Sequence, residues 1–260
     1  MFQPRKRFGQ NFLVDSVIIE CIFQGLELNP SWPILEIGPG QGALTQGLLA
    51  CTNFPLHCVE IDRDLAERLQ AHYGKAIEVY CQDILAFDFA CMPSSQGPLQ
   101  VVGNLPYNLS TPILLKCLNA FDTIASMHFM LQKEVAARIC AQPGSSNYGR
   151  LSVRVQVACQ AKIWLDVPST AFCPIPKVES AMVRLTPHAH APHVDYSALD
   201  QVLRCAFSGR RKKISNSLKS LFSQDQFIQL GIVPTLRADQ VSVAQFVALS
   251  EKLAQHNSAL

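Results

Sequence analysis

The stretch Trp32-Pro33-Ile34-Leu35-Glu36-Ile37-Gly38-Pro39-Gly40-Gln41-Gly42-Ala43 decides the fold. Its short apolar run, bounded by Pro33 and a glycine cluster, predicts a buried strand. A helical pattern follows from Leu44 to Leu49. Strand, glycine turn and helix together open a doubly wound α/β sheet, where small residues let a ligand approach the backbone. The same letters satisfy the dinucleotide pattern, with Gly38, Gly40 and Ala43 at its small positions, so the turn alone does not name the cofactor.

Further strands follow in the expected rhythm. Leu56 to Glu60 ends in an acid at the distance where a ribose diol is bound, which suits both a nicotinamide and a methyl-donor nucleoside. Ile77 to Asp83 ends in a second acid, for which a nicotinamide enzyme has no standard need. Either acid is also consistent with a solvated carboxylate at a strand end. A fourth strand ends in Val101-Val102-Gly103-Asn104-Leu105-Pro106-Tyr107. In an open α/β sheet, ligands sit outside the carboxyl ends of the strands, so the glycines, Glu60, Asp83 and Asn104 to Tyr107 are expected to share one crevice.

The last of these stretches reads as a place to hold a planar amine. A nucleobase amine is a poor nucleophile because its lone pair is delocalised into the ring, and two neutral acceptors can hold its N–H bonds out of plane. Asn104 supplies a side-chain carbonyl and Leu105 a backbone carbonyl, which Pro106 biases to project from extended chain. Tyr107 offers a ring for stacking. An ordinary Asn-x-Pro turn at a strand end remains the plainer reading of these residues alone.

Composition bounds the rest. The 260 residues are 48% hydrophobic with a net charge of +2, enough for a full core and too nearly neutral to announce a nucleic-acid partner. Charge is instead clustered, at Arg5-Lys6-Arg7 and Arg210-Arg211-Lys212-Lys213, where it can meet phosphates or simply face water. No signal-peptide core and no bilayer-spanning run is evident, and the ten cysteines are scattered without a Cys-x-x-Cys pair. They read as free thiols in a reducing cytoplasm.

Beyond Tyr107, helices are expected at 111–119 and 133–140 and strands at 126–131, 163–167 and 181–185, while 151–159 fits either class and is read as helix. Phe172 to Ser180 forms a proline-stiffened loop suited to presenting Phe172 rigidly. His188, His190 and His193 lie among Pro and Ala without a carboxylate or thiolate at ligand spacing, so they read as a linker rather than a metal site. Helical patterns then run to the C-terminus, and the division expected is a catalytic domain over 1–190 and a helical RNA- or ribosome-binding domain over 191–260.

With these pieces assembled, the chain resembles the KsgA/Dim1 family of small-subunit rRNA adenine N6,N6-dimethyltransferases. The resemblance rests on Arg7 to Leu13, Glu36 to Gly42, Asn104 to Tyr107, Gln132 to Val135, Tyr148 to Ser152 and Phe172 to Ala181, which span nearly the whole chain. It implies a class I Rossmann-like methyltransferase sheet with a small all-helical C-terminal domain, and S-adenosylmethionine as donor. By position, Asn11, Leu13, Gly38, Glu60, Asp83 and Asn104 would line the cofactor site, Glu60 on the ribose and Asp83 on the adenine amine. Asn104, the Leu105 carbonyl and Tyr107 would hold the target base, and Phe172 would cover its other face. The implied substrate is a pair of adjacent adenosines in a hairpin loop near the 3′ end of small-subunit rRNA, in an immature subunit, and the enzyme is expected to act as a monomer. Dimethylation follows from the resemblance, not from the residues. The alternatives are an assembly factor with a vestigial pocket, a large-subunit rRNA or DNA adenine methyltransferase, and a nicotinamide oxidoreductase.

Overall fold

The computed structural model describes residues 10–93, 96–209 and 211–258. The basic cluster Arg5-Lys6-Arg7, and Arg210 in the second cluster, lie outside the described residues. In chain order the elements are β1 (Phe12–Leu13), α1 (Ser16–Gly25), β2 (Ile34–Ile37), α2 (Thr45–Leu49), β3 (Leu56–Glu60), α3 (Arg63–Tyr73), β4 (Ile77–Cys81), β5 (Leu99–Asn104), α4 (Ser110–Leu118), β6 (Ile124–Gln132) and α5 (Lys133–Ile139). They continue with α6 (Arg150–Gln156), β7 (Cys159–Val167), β8 (Phe172–Cys173), β9 (Ser180–Pro187), α7 (Tyr196–Ala206), α8 (Ile214–Ser217), α9 (Gln224–Gln229) and α10 (Val243–Ser258).

The main sheet has seven strands in the order β4-β3-β2-β5-β6-β9-β7. From β4 to β6 the neighbours run parallel, and β9 returns antiparallel to β6. Helices cover both faces, so every residue of β2 and β3 is buried and the strands read as continuous rather than alternating apolar runs. Ile22 of α1, Leu48 of α2, and Ile34, Leu56, Val102, Met130 and Met182 of the strands form one cluster with no exposed surface. Burying each such side chain stabilises by about 1.5–3 kcal/mol. The order reverses direction at β2, where β3 lies on one side and β5 on the other, and that is where an open sheet leaves a crevice.

The α/β class read from the sequence is the class observed. Asp15 caps α1, accepting from the backbone N–H of Val17 and Ile18 at 2.9 and 3.2 Å. The ambiguous segment 151–159 is helical through Gln156 and enters β7 at Cys159.

A larger correction concerns the division of the chain. Two compact units form, 1–136 with 162–187 and 137–161 with 188–260, so the second is not confined to 191–260. Segment 137–161 joins it because its apolar side chains find their partners there. Tyr148, Val153 and Val157 are buried in one cluster with Leu199, Val202, Phe246 and Leu249 of α7 and α10. The Tyr148 hydroxyl donates to the Val241 carbonyl at 3.0 Å, across 93 residues of sequence. Asp195 caps α7 through Ser197 and Ala198.

Gly103, in the middle of the sheet, shows how tightly β2 and β5 approach. A β-carbon there would sit 2.8 Å from the Ile37 carbonyl oxygen, a backbone atom that cannot swing away. Gly103→Ala is expected to destabilise the protein by about 1–3 kcal/mol, read as a lower urea midpoint with the slope unchanged.

Candidate active site

At the carboxyl ends of β2, β3, β4 and β5 lies a cavity within the first unit, closed on one side by residues 10–13. Asn11, Leu13, Gly38, Glu60, Asp83, Asn104, Leu105 and Tyr107 all line it. These residues come from distant segments, and the sheet order brings them together.

The glycine turn is built from backbone that only glycine adopts easily. Gly38, Gly40 and Gly42 have φ values of 65°, 60° and 86°. This left-handed run points the Gly40 N–H at Glu60 Oε2, 3.0 Å away, while the Asp62 N–H donates to Oε1 at 2.9 Å. Backbone donors therefore hold a carboxylate that is 4% exposed. Burial pushes the Glu60 carboxyl up, and the N–H groups of Asp62, Gly40 and Ile61 partly offset that shift. A carboxylate has about four lone-pair sites, so one is left to accept from a diol. Asp83 sits just past β4 and accepts the Leu85 N–H at 2.8 Å through Oδ1.

At the end of β5, the Asn104 side-chain Nδ2 donates to the Asn11 carbonyl at 3.2 Å. A carbonyl only accepts, so this bond fixes which end of the amide is which and leaves Oδ1 as the free acceptor. The Leu105 N–H donates to the Met130 carbonyl at 3.2 Å, anchoring the chain just before Pro106. Tyr107 lies on the following turn, half-buried, with its hydroxyl 2.8 Å from Ser180 Oγ.

Phe172 departs from the expectation. It is 2% exposed, does not line the cavity, and packs in the core cluster with Leu13, Val102, Met130 and Met182. The reason is the pairing of β8 with β1, Leu13 opposite Phe172 and Phe12 opposite Cys173, which turns the Phe172 ring into the protein. Phe172 thus packs behind Leu13, which itself lines the cavity.

Sequence reasoning passed over Glu36, Gln10 and Phe12. Glu36 is 2% exposed, lines the cavity and accepts from Thr45 Oγ1 at 2.7 Å. Burial pushes its carboxyl up to about 8, only partly countered by the Thr45 bond. Its signal was a carboxylate inside an otherwise apolar strand. Gln10 reaches the Asp62 carboxylate at 3.3 Å, and the Phe12 ring lies where a β-carbon on Gly40 would meet it at 3.1 Å.

The charge of the cavity separates the cofactor classes that the glycine turn leaves open. Among the described lining residues are Glu36, Glu60 and Asp83, and no Lys, Arg or His. A pyrophosphate would lie beside these acids without a cationic side-chain partner, whereas a nucleoside carrying a positive centre meets no like charge; Glu36, pushed up to about 8, contributes little negative charge at neutral pH. Among the described residues, no cluster of His, Cys, Asp and Glu is arranged to hold a metal ion, and no helix is long and apolar enough to cross a membrane.

A seven-stranded sheet with glycines, a ribose-distance acid and an Asn-Leu-Pro-Tyr segment at its strand ends defines a Rossmann-like methyltransferase. The profile of the ribosomal RNA adenine dimethylase family matches residues 1–255, and the chain belongs to that family. It is similar to the ribosomal RNA small subunit methyltransferase A of Erwinia tasmaniensis, 46% identical over 257 residues, covering 97% of this chain and 94% of the relative. The protein so named from Yersinia pestis is 45% identical over 259 residues, covering 98% and 95%. Among solved structures, a dimethyladenosine transferase from Plasmodium falciparum superposes with a TM-score of 0.81 at 25% identity, covering 95% of this chain and 98% of that one. The 23S rRNA methyltransferase ErmE superposes at 0.71 with 30% identity, covering 94% and 100%.

Glu36 gives the site a pH signature. Its carboxyl titrates at about 8 in the folded protein against 4.5 ordinarily, so the folded state holds the proton more tightly. That contribution to stability is complete below 4.5 and is lost as pH rises towards 8. Glu36→Gln is expected to remove this slope, so that denaturant midpoints measured from about pH 5 to 8.5 show the variant gaining on the parent as pH rises.

Proposed function

We propose that this protein transfers methyl groups from S-adenosylmethionine to the exocyclic amines of two adjacent adenosines in a hairpin loop near the 3′ end of small-subunit rRNA. The product is N6,N6-dimethyladenosine, made in the cytoplasm on an immature subunit by a monomeric enzyme. The observation that carries this reading is the Asn104 amide, pinned through Nδ2 so that Oδ1 is an acceptor at the cavity.

The donor's sulfonium supplies an electrophilic methyl carbon. Glu60 would hold its ribose, Asp83 its adenine amine, and Asn11, Leu13 and Gly38 its remaining contacts. Asn104 Oδ1 and the Leu105 carbonyl accept the two N–H bonds of the target amine and draw its lone pair out of conjugation. Alignment and exclusion of water are then the protein's main contributions. No side chain between Asn104 and Tyr107 is a base at neutral pH. None is required, because alkylation acidifies the nitrogen and its proton passes to solvent. Extruding the adenosine costs a few kcal/mol, and stacking on one aromatic ring returns about 1–3 kcal/mol. The Tyr107 ring at the cavity, with Phe172 buried in the core, supports giving this role to Tyr107.

The likeness to ErmE favours a second reading, a large-subunit substrate. The higher identity to small-subunit relatives, at 45% and 46% against 30%, supports the first. Mass spectrometry of rRNA from cells lacking the gene distinguishes them by which subunit's adenosines lose methyl groups. Radiolabelled methyl transfer to immature small subunits separates an active enzyme from a scaffold.

Asn104→Ala is expected to lower kcat by about 10²–10³-fold, the scale of removing one preorganised polar group, while RNA affinity stays near that of the parent. Arg211, Lys212 and Lys213 are exposed. Neutralising them is expected to weaken RNA binding and flatten its salt dependence by about 0.7–0.9 in log–log slope for each phosphate no longer neutralised, measured by filter binding across a salt series.

A further inference from the structure

We infer that Ser180 is a positioning residue for the methyl transfer, fixing where the Tyr107 ring points through a bond to its hydroxyl. The inference rests on the assignment of Tyr107 to the target adenine. A stacking platform is useful only if its position is fixed, because a swung ring displaces the bound base and so the angle at which its amine meets the methyl carbon.

Tyr107 is poorly held by its own backbone. It lies on a turn closed by the Leu109 N–H to the Pro106 carbonyl, between β5 and α4, and it is partly exposed at the cavity. The near end is tied by Ser110 Oγ donating to the Tyr107 carbonyl at 3.1 Å. That bond leaves the ring free to rotate about its side-chain torsions. The far end is held at 2.8 Å by Ser180 Oγ, 73 residues on.

Ser180 itself is placed by the sheet. It is fully buried, opens β9, and pairs with Gln132 at the end of β6. On its N-terminal side, the Lys133 N–H donates to the Glu179 carbonyl at 3.0 Å, and Lys133 Nζ bridges Glu179 and Asp166 at 3.1 and 3.2 Å. The strand beside β6 thus carries a hydroxyl at the height where the Tyr107 ring ends. A buried serine in a strand otherwise rich in Ala, Met, Val and Leu costs desolvation unless its oxygen is used, and the phenol uses it.

Single-turnover and steady-state methylation of immature small subunits by Ser180→Ala, Tyr107→Phe, their combination and Ser180→Thr tests this. Expected is a roughly tenfold fall in kcat for either single change, with KM for S-adenosylmethionine unchanged. The double variant should be no worse than the singles, since both remove one bond, and Ser180→Thr, which keeps the hydroxyl, should recover most of the rate. Wild-type kcat in Ser180→Ala overturns the inference, as does an additive loss in the double variant. Tyr107→Ala separates this from failure of the underlying reading. If Tyr107→Ala is inactive while Ser180→Ala and Tyr107→Phe turn over normally, the platform stands and the positioning role falls; if Tyr107→Ala is itself normal, both fall.

Discussion

One hydrogen bond organises the site: Asn104 Nδ2 to the Asn11 carbonyl, spanning 93 residues. It joins the end of β5 to the segment that lies across the cavity mouth, and it uses up the donor end of the amide. An asparagine free to flip would present an N–H to an amine that itself donates, a repulsive encounter. Tied to a carbonyl, it presents oxygen only. The segment that provides this carbonyl is held by β1 pairing with β8 and by Val14 donating to Ala171 at 2.9 Å. The buried Phe172 belongs to that support. Its ring sets where Leu13, and with it Asn11, can sit.

The second constraint is electrostatic. Glu36, one residue before the end of β2, and Glu60, the last residue of β3, are each almost without exposure, and burial raises both carboxyls. No cation among the described cavity residues would partner a phosphate there, whereas a positive centre would favour the ionised form of both acids. The glycine turn serves this arrangement by backbone geometry. Its positive φ angles aim an N–H at Glu60 and hold it in place, a role distinct from the phosphate cradle that the same sequence pattern makes elsewhere.

Much of the sheet was legible because parallel strands covered on both faces read as short apolar runs with turn residues between them, as at Ile34–Ile37 and Leu56–Glu60. Positions at strand ends were equally legible, since the period of a βαβ unit places them on one edge whatever the side chains in between. Less visible were matters decided by contacts distant in sequence. Segment 137–161 looks like a continuation of the first unit, and only the burial of Tyr148, Val153 and Val157 against α7 and α10 assigns it to the second.

Local pattern by itself determined the α/β class and that the glycine turn, Glu60, Asp83 and Asn104 to Tyr107 reach the crevice, because strand period and glycine conformational freedom are properties of a few adjacent residues. Tertiary structure alone decided which way those side chains are used: the polarity of the Asn104 amide, the inward turn of Phe172, the raised carboxyl of Glu36 and the anchoring of Tyr107 by Ser180. Each depends on a partner brought from another strand or segment, and no local pattern encodes the direction in which a side chain meets a neighbour many residues away.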